Sequence, residues 1–230
     1  SLINISKNQS ILTLFNIPLK LELMSKSVLI LDYGHGNANS IKRALRNLGC
    51  NATYSNEPDE IENADAIIMP GVGHFKVAMQ SMRDTSIIST LHHKIVVDKT
   101  PVLGICLGFQ LMTEHSEEGS CNGLGWIQAD TIQITPDDTK TFKVPHIGWR
   151  TLKNPNKCRM LQNIDYQNKP FYFCHKYAVT HSLGGECATY QYDKDYVGIY
   201  ENDNIVGVQF HPEKSQMHGR AMIENFLTFF

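Results

Sequence analysis

The chain has 230 residues, of which 42% are hydrophobic and 19% are charged, and its formal net charge is −2 at pH 7. This length fits one α/β domain or two small ones. The near-neutral balance excludes the basic surface of a nucleic-acid-binding protein and the polybasic face of a peripheral membrane protein, so we expect neither nucleic acid nor a membrane as a partner.

The first 24 residues differ in character from the rest. Their apolar residues lack periodicity, and the longest apolar run is interrupted by Thr13, Asn16 and Pro18. A secretory signal needs a longer apolar core and a small-residue cleavage site, and a membrane helix needs roughly 18 consecutive apolar residues. Neither pattern occurs. We therefore expect a cytoplasmic protein whose folded domain spans 25–230, with 1–24 as a peripheral extension.

The first half of the chain alternates strand-like and helix-like segments. Val28–Leu31 predicts a buried strand, and the apolar spacing from Ile41 to Leu48 predicts a helix that ends at Gly49. Further strands and helices are predicted at Ala52–Tyr54, Asp65–Met69, Phe75–Met82, Ile87–Val97 and in a strand that opens at Pro101. This alternation indicates right-handed βαβ units and a mainly parallel sheet.

The second half is richer in closely spaced strands. Strands are predicted at Ile127–Ile134, Phe171–Cys174, Cys187–Tyr190 and Val197–Phe210. The last of these contains two apolar runs around Glu201–Asn204, which indicates a hairpin, and Met217–Phe230 predicts a closing helix. We predict a single α/β domain with a mainly parallel central sheet, flanked by helices and extended by antiparallel strands.

The segment Val102–Gln110, VLGICLGFQ, predicts a nucleophile elbow. Cys106 follows a strand, precedes a helical run at Leu107–Met112, and has Gly104 and Gly108 two residues to either side. Glycines at these positions remove side chains that would clash at a sharp turn, and the helix N-terminus favours a thiolate. A small core cysteine packed between glycines is the alternative, and the elbow alone does not distinguish the two interpretations.

His211 and Glu213, in GVQFHPEKS, are the predicted general base and the carboxylate that orients it. His211 lies at a strand end, and Pro212 restricts the backbone between the two residues. A solvated surface turn is the alternative for His-Pro-Glu taken alone. The elbow upstream favours the catalytic interpretation over the weaker rivals, which are His35, His74, His146, His175 and His181.

Acyl transfer needs hydrogen-bond donors aimed at the developing oxyanion. The N–H of Leu107 is one candidate, and the loop MPGVGHF offers the N–H of Val72 or Gly73 as the second. A phosphate-binding loop is the alternative, but the loop lacks both the GxGxxG spacing and the lysine-serine pair of a nucleotide site.

The six cysteines, at 50, 106, 121, 158, 174 and 187, form no CxxC pair. A chain of this length with this much core does not need disulfides, so we expect all six to be reduced. Neither the cysteines nor the histidines show metal-ligand spacing, so we expect no metal and no organic cofactor.

Five motifs together resemble the class I, triad-type glutamine amidotransferases: PGVGHF, GICLGFQ, VPHIGW, YFCHKY and GVQFHPEKSQ. DYGHGN at 32–37 and VPHIGW at 144–149 make the chain most similar to the glutaminase subunits of imidazole glycerol phosphate synthase. The resemblance covers about Lys26 to Phe230.

The resemblance implies that Cys106 attacks the side-chain amide of glutamine, with His211 as base and then acid and Glu213 as its orienter. It also implies that Val72 and Leu107 donate to the oxyanion. Gln110 and Glu118 match positions that hold the glutamine substrate.

The family further implies that ammonia passes to a synthase subunit of (β/α)₈ barrel fold, in a heterodimer that makes imidazole glycerol phosphate and an aminoimidazole carboxamide ribotide. The positions that match partner-facing ones are Asn37, Trp149, Tyr172 and Lys214. Without the resemblance, Trp149 and Tyr172 would be interpreted as core aromatics and Lys214 as a solvated lysine.

Two positions depart from the family pattern. Arg150 stands where the family commonly has Asn, and Lys176 where it commonly has Ser or Thr. These departures leave open a paralogous glutaminase that feeds a surface-polysaccharide sugar amidotransferase. A catalytically weak scaffolding subunit is a second alternative, and a cysteine protease or thioesterase on the same elbow is a third.

Overall fold

The computed structural model describes Leu23 and residues 25–153, 155, 158–180 and 184–230. His181 and all of the predicted extension except Leu23 lie outside these residues. Leu23 is buried within the core, so the folded part reaches at least to this residue. The division at residue 24 stays a prediction.

An eight-stranded sheet forms the centre of the molecule, in the order β2-β1-β3-β4-β14-β13-β12-β9. Its first five strands are parallel and the remaining pairings are antiparallel, which confirms the predicted mixed sheet. The strands are β1 Val28–Leu31, β2 Ala52–Ser55, β3 Ala66–Met69, β4 Val102–Ile105, β9 Leu152–Lys153, β12 Glu186–Gln191, β13 Asp195–Asn202 and β14 Ile205–Val208.

Helices cover both faces of this sheet. They are α1 Ala38–Leu48, α2 Pro58–Glu62, α3 Phe75–Asp84, α4 Ile88–His92, α5 Leu107–Leu111 and α6 Gln216–Phe229, with a π-helical turn at His93–Val97 and 3₁₀ turns at Arg159–Leu161 and Pro212–Lys214. Val28 and Ile30 pack with α1 and α6, whereas Leu29 and Leu31 pack with α3. Strands buried on both faces need continuous apolar runs, which is why VLIL is uniformly hydrophobic.

The described residues also form two smaller sheets. Strands β11, β7, β5 and β6 form one, in that order, and β8 with β10 forms a two-stranded ribbon. Their bounds are β5 Thr113–Ser116, β6 Cys121–Asn122, β7 Ile127–Gln133, β8 His146–Arg150, β10 Phe171–His175 and β11 Tyr177–Val179. Sequence analysis missed β5, β6, β8, β9, β11 and α2 because they are short or polar and are defined by distant partners.

Two expectations need correction. The hairpin turn is shorter than predicted, because Glu201 and Asn202 still pair within β13. Cys158 and Cys187 form a disulfide, with Cα atoms 5.5 Å apart, so the prediction that all six cysteines stay reduced is wrong for this pair. The two residues come together through the 3₁₀ turn after Cys158 and strand β12, and their separation of 29 residues gives no sign of this.

Candidate active site

Cys106 occupies a strained turn between β4 and α5. Its φ of 53° and ψ of −106° lie outside the regions that L-residues favour. A Cβ on Gly108 would lie 1.9 Å from the carbonyl oxygen of Met69, and one on Gly104 would lie 2.7 Å from the nitrogen of Phe109. Both glycines are therefore required by close packing around the turn, as predicted.

The Cys106 sulfur is nearly buried, with 5% of the residue exposed. It lies 3.8 Å from the carbonyl oxygen of Cys174 and 3.8 Å from the amide nitrogen of Gln209, which donates to it. Gln209 is fully buried, and sequence analysis missed it. Its place two residues before His211, on the same strand end, is the signal that could have identified it.

His211 and Glu213 form a buried pair, with Nδ1 of the imidazole 2.8 Å from Oε1 of the carboxylate. The carboxylate accepts, so Nδ1 donates and Nε2 is the atom left for other chemistry. Among the described residues, Nε2 has no hydrogen-bond partner. The 3₁₀ turn at Pro212–Lys214 turns the chain so that residue 213 reaches back to residue 211.

Charge couples His211 to Cys106. Burial lowers the pKa of His211, but the negative charge of a Cys106 thiolate, followed by the Glu213 carboxylate, outweighs burial and raises this pKa to about 10. The imidazole is therefore protonated at neutral pH when the sulfur is ionised. A thiolate beside an imidazolium is a nucleophile with a proton donor at hand.

The loop Pro70–Gly73 lies directly against the start of α5. A Cβ on Gly71 would lie 2.6 Å from both the nitrogen of Gly108 and the Cβ of Leu107. Gly73 has a φ of +128°, which L side chains rarely adopt. The hydroxyl of Tyr33 donates to the carbonyl of Pro70 and holds the start of the loop. The predicted oxyanion donors thus belong to two segments in contact, with Val72 and Gly73 in the loop and Leu107 at the start of α5.

Gln110 and Glu118 both hold parts of the protein around the elbow. Gln110 is buried, and its amide donates to the carbonyl of Tyr177 at 2.7 Å and to Gln209 at 3.3 Å. Oε2 of Glu118 accepts the N–H of Phe75, the first residue of α3, at 2.7 Å. Glu118 therefore anchors the helix that follows the glycine loop.

Three of the four predicted partner-facing residues are contiguous. Trp149 is 40% exposed, which excludes a core aromatic at this position, and its ring meets Tyr172 edge-on at 5.5 Å. Nζ of Lys214 lies 5.7 Å from the centre of the Tyr172 ring. Asn37 is exposed at the start of α1 without a side-chain cap bond.

The two departures from the family pattern both lie against aromatic rings. The Arg150 guanidinium is 5.3 Å from the Tyr192 ring, and Nζ of Lys176 is 5.6 Å from the Tyr177 ring. Within the described part of the chain, neither side chain bonds to the sulfur or the imidazole of the elbow.

Among the described residues, one group brings potential metal-ligand atoms within 4.8 Å of one another: Cys158, Cys187 and Glu201. The two sulfurs are bonded to each other, and the carboxylate already accepts the N–H groups of Arg159 and Met160. These potential metal-ligand atoms are therefore already engaged by the protein itself.

Among the residues that the structure describes, no helix combines the length and apolarity that crossing a bilayer demands.

Comparison with known proteins identifies a family for this chain. Residues 29–229 match the family described as glutamine amidotransferase class-I. The chain is 40% identical, over 87% of its length and 98% of the relative, to imidazole glycerol phosphate synthase subunit HisH 2 of Methanococcus maripaludis. It is 36% identical, with the same coverage, to subunit HisH 1 of Campylobacter jejuni strain RM1221.

Solved structures share the fold at low sequence identity. The structure of PurLQS from Thermotoga maritima superposes with a TM-score of 0.67 at 17% identity, covering 89% of this chain and 98% of that one. A glutamine amidotransferase, also from Thermotoga maritima, gives a TM-score of 0.60 at 14% identity, covering 88% of this chain and 98% of that one. At this identity the likeness establishes the architecture alone.

Proposed function

The chain belongs to the HisH group of class I glutamine amidotransferases, and on that premise we propose that it hydrolyses glutamine with Cys106, His211 and Glu213 and supplies the ammonia to a synthase subunit. The observation that carries this proposal is the strained Cys106 at the elbow, charge-coupled to a His211 that Glu213 holds at 2.8 Å. No cofactor is needed for this reaction.

The reaction starts from the thiolate–imidazolium pair. The Cys106 sulfur attacks the side-chain amide carbon of glutamine, and the carbonyl oxygen becomes an oxyanion. Nε2–H of His211 protonates the leaving nitrogen, so ammonia departs and a γ-glutamyl thioester remains. His211 then removes a proton from water, which attacks the thioester carbon and releases glutamate and the thiolate. Glu213 keeps Nδ1 protonated and stabilises the imidazolium.

The oxyanion is stabilised by the N–H of Leu107 together with that of Val72 or Gly73. The glycines at 71 and 73 let this loop change its peptide orientation. The isolated chain is therefore slow, and docking of the synthase subunit orients the second donor. Gln110 and Glu118 bind the glutamine substrate at the rim of the same loop, where the carboxylate of Glu118 suits the ammonium group of an amino acid.

The partner is a (β/α)₈ synthase subunit, and the pair makes imidazole glycerol phosphate and an aminoimidazole carboxamide ribotide in histidine biosynthesis, in the cytoplasm. Trp149, Tyr172 and Lys214 form a contiguous patch beside His211, in which Trp149 and Lys214 are exposed and Tyr172 is half-buried, and this patch supports docking here. Exposed aromatic residues of this kind commonly anchor protein interfaces.

The test measures glutamate release by the purified chain, alone and with either of two synthases. Faster glutamine hydrolysis with the histidine-pathway barrel supports the proposal. Faster hydrolysis with a sugar amidotransferase instead would identify the paralogous function that Arg150 and Lys176 leave open. No glutamine turnover with either synthase, from a folded chain that binds one of them, would favour the scaffolding alternative.

A further inference from the structure

A pair of buried histidines lies behind the elbow and has no part in the chemistry described above. His146 begins β8 and His175 ends β10, and the two residues are directly opposite in the ribbon. They are 1% and 6% exposed, and Nδ1 of His146 is 3.2 Å from Nε2 of His175. The ring of Tyr192 stacks on His146 with centroids 4.1 Å apart.

The hydrogen bonds determine which nitrogens carry protons. Nδ1 of His175 is 2.8 Å from the carbonyl oxygen of Tyr177, which only accepts, so this Nδ1 is protonated. Burial lowers the pKa of His146 to about 4, and burial followed by the charge of His146 lowers the pKa of His175 to about 3. Both rings are therefore neutral at pH 7. Nε2 of His175 is then an acceptor, and Nδ1–H of His146 donates to it.

The end of β10 that this pair holds is in contact with the catalytic groups. The carbonyl oxygen of Tyr177 accepts from Gln110 as well as from His175, and Gln110 in turn bonds Gln209, which donates to the Cys106 sulfur. The carbonyl of Cys174, the residue before His175, lies 3.8 Å from the same sulfur. The carbonyl of Cys174, near the end of β10, thus contacts the sulfur, and the carbonyl of Tyr177, at the start of β11, contacts the Gln110 amide.

We propose that His146 and His175 are positioning residues, whose mutual hydrogen bond holds the carbonyls of Cys174 and Tyr177 in register with Cys106 and Gln110. A two-stranded ribbon has little intrinsic stability, so a side-chain bond at its inner end has a large effect on where that end lies. The proposal rests on the glutaminase function above for its kinetic consequence, but its hydrogen-bond geometry can be tested without it.

The experiment compares two substitutions of His146 in the full chain with its synthase partner. His146→Phe keeps an aromatic ring against Tyr192 and removes the donor, whereas His146→Asn keeps an N–H donor near the position of Nδ1. We expect His146→Phe to lower kcat for glutamine hydrolysis about tenfold or more, with a smaller change in KM, because small displacements at a reacting centre strongly slow the reaction. His146→Asn should recover most of the loss.

Alkylation of Cys106 by iodoacetamide, located by mass spectrometry, is the second measurement. Its rate should fall with kcat in His146→Phe and recover in His146→Asn. Tyr192→Phe is the matched control: it keeps the stacked ring, loses only the bond from its hydroxyl to the carbonyl of Lys143, and should leave both rates unchanged.

A folded His146→Phe protein whose kcat and alkylation rate stay within about twofold of the unsubstituted protein would overturn the proposal. If that variant does not fold, ¹⁵N spectra of the histidine rings in the unsubstituted protein decide: neutral Nδ1–H tautomers at both positions support the proposal, and a charged ring or an Nε2–H tautomer at either overturns it. Failure of the glutaminase proposal would be distinguishable from this result: the unsubstituted protein would be alkylated at Cys106 but would not hydrolyse glutamine.

Discussion

The carbonyl of Tyr172 accepts the backbone N–H of His211 at 2.8 Å, while the half-buried Tyr172 ring lies 6.4 Å from the imidazole ring and meets Trp149 edge-on. The N–H of Tyr172 in turn donates to the hydroxyl of Ser215, which donates to the carbonyl of His211. Both backbone groups of His211, the predicted base, are thus linked to Tyr172 of β10, and the side chain of Tyr172 belongs to the proposed docking patch. A partner that moves this strand moves His211 directly.

Replacing the nucleophile should separate glutamine hydrolysis from synthesis. We expect Cys106→Ala to abolish glutamate release but to leave synthesis from added ammonium salts in the complex, because the synthase subunit needs only ammonia. Cys174→Ala, which removes an exposed thiol, is the control and should retain glutamine hydrolysis. Loss of both activities in Cys106→Ala would mean that this thiol has a structural role instead.

Glu213→Gln should move the alkaline limit of activity to lower pH. The imidazolium of the resting pair persists up to about pH 10, because the pKa of His211 is raised to about 10 by a Cys106 thiolate and, after it, by the charge of the Glu213 carboxylate. Without this charge, the proton is lost at lower pH, and kcat should also fall because Nδ1 is less firmly oriented. Rates of glutamine hydrolysis measured from neutral pH to beyond the pKa of about 10 check this shift, and superimposable profiles would contradict it.

Gly108→Ala should destabilise the fold by about 3 kcal/mol, since the new Cβ would lie 1.9 Å from the carbonyl oxygen of Met69 and backbone must move. Gly198→Ala is the matched control: its Cβ would meet the Cδ2 methyl of Leu152 at 2.9 Å, and that side chain can yield. We expect a cost of about 1 kcal/mol there. Urea unfolding of both variants measures the difference, and equal costs would contradict the steric account of the elbow.

The buried histidine pair should make the protein sensitive to acid. The pKa of His175 is about 3 in the folded chain and about 6.5 when unfolded, so the unfolded chain binds more protons between these values. Its stabilising contribution is complete above about pH 6.5 and is lost as the pH falls. Between pH 7 and pH 5 this loss is about 2 kcal/mol for His175.

His175→Asn should remove that part of the pH dependence. Free energies of unfolding in urea at pH 7 and pH 5 give the comparison, and the variant should lose about 2 kcal/mol less than the unsubstituted protein over this interval. An unchanged pH dependence in a folded variant would mean that His175 is already protonated at pH 5.

Trp149→Ala should weaken binding to the synthase partner by about 30-fold, since an exposed aromatic at an interface commonly contributes about 2 kcal/mol. Val97→Ala, at a residue 60% exposed on the π-helical turn, is the control and should bind normally. Titration calorimetry with the barrel protein checks both. Equal affinities for the two variants would place the docking surface elsewhere on the chain.

The sequence by itself was sufficient for the elements with strong local signals. The apolar run of β1, the helix that ends at the left-handed Gly49, and the strand–Cys106–helix order are all where the patterns predicted them. These features depend on local properties: apolar periodicity, the freedom of glycine at positive φ, and the spacing of two glycines around a turn. The spacing of Gly104 and Gly108 around Cys106 predicted the elbow. The family comparison then placed the chain among the glutamine amidotransferases.

Only the tertiary structure decided which distant groups meet. His175 was a rival base in the sequence and is instead a neutral partner of His146. Gln209 reaches the Cys106 sulfur, and Cys158 meets Cys187. Each of these contacts joins segments that are far apart in the chain and depends on strand order and register, which no local pattern encodes. Burial inside that arrangement keeps His146 and His175 neutral, whereas at His211 the charges of a Cys106 thiolate and of Glu213 outweigh burial and favour the protonated ring.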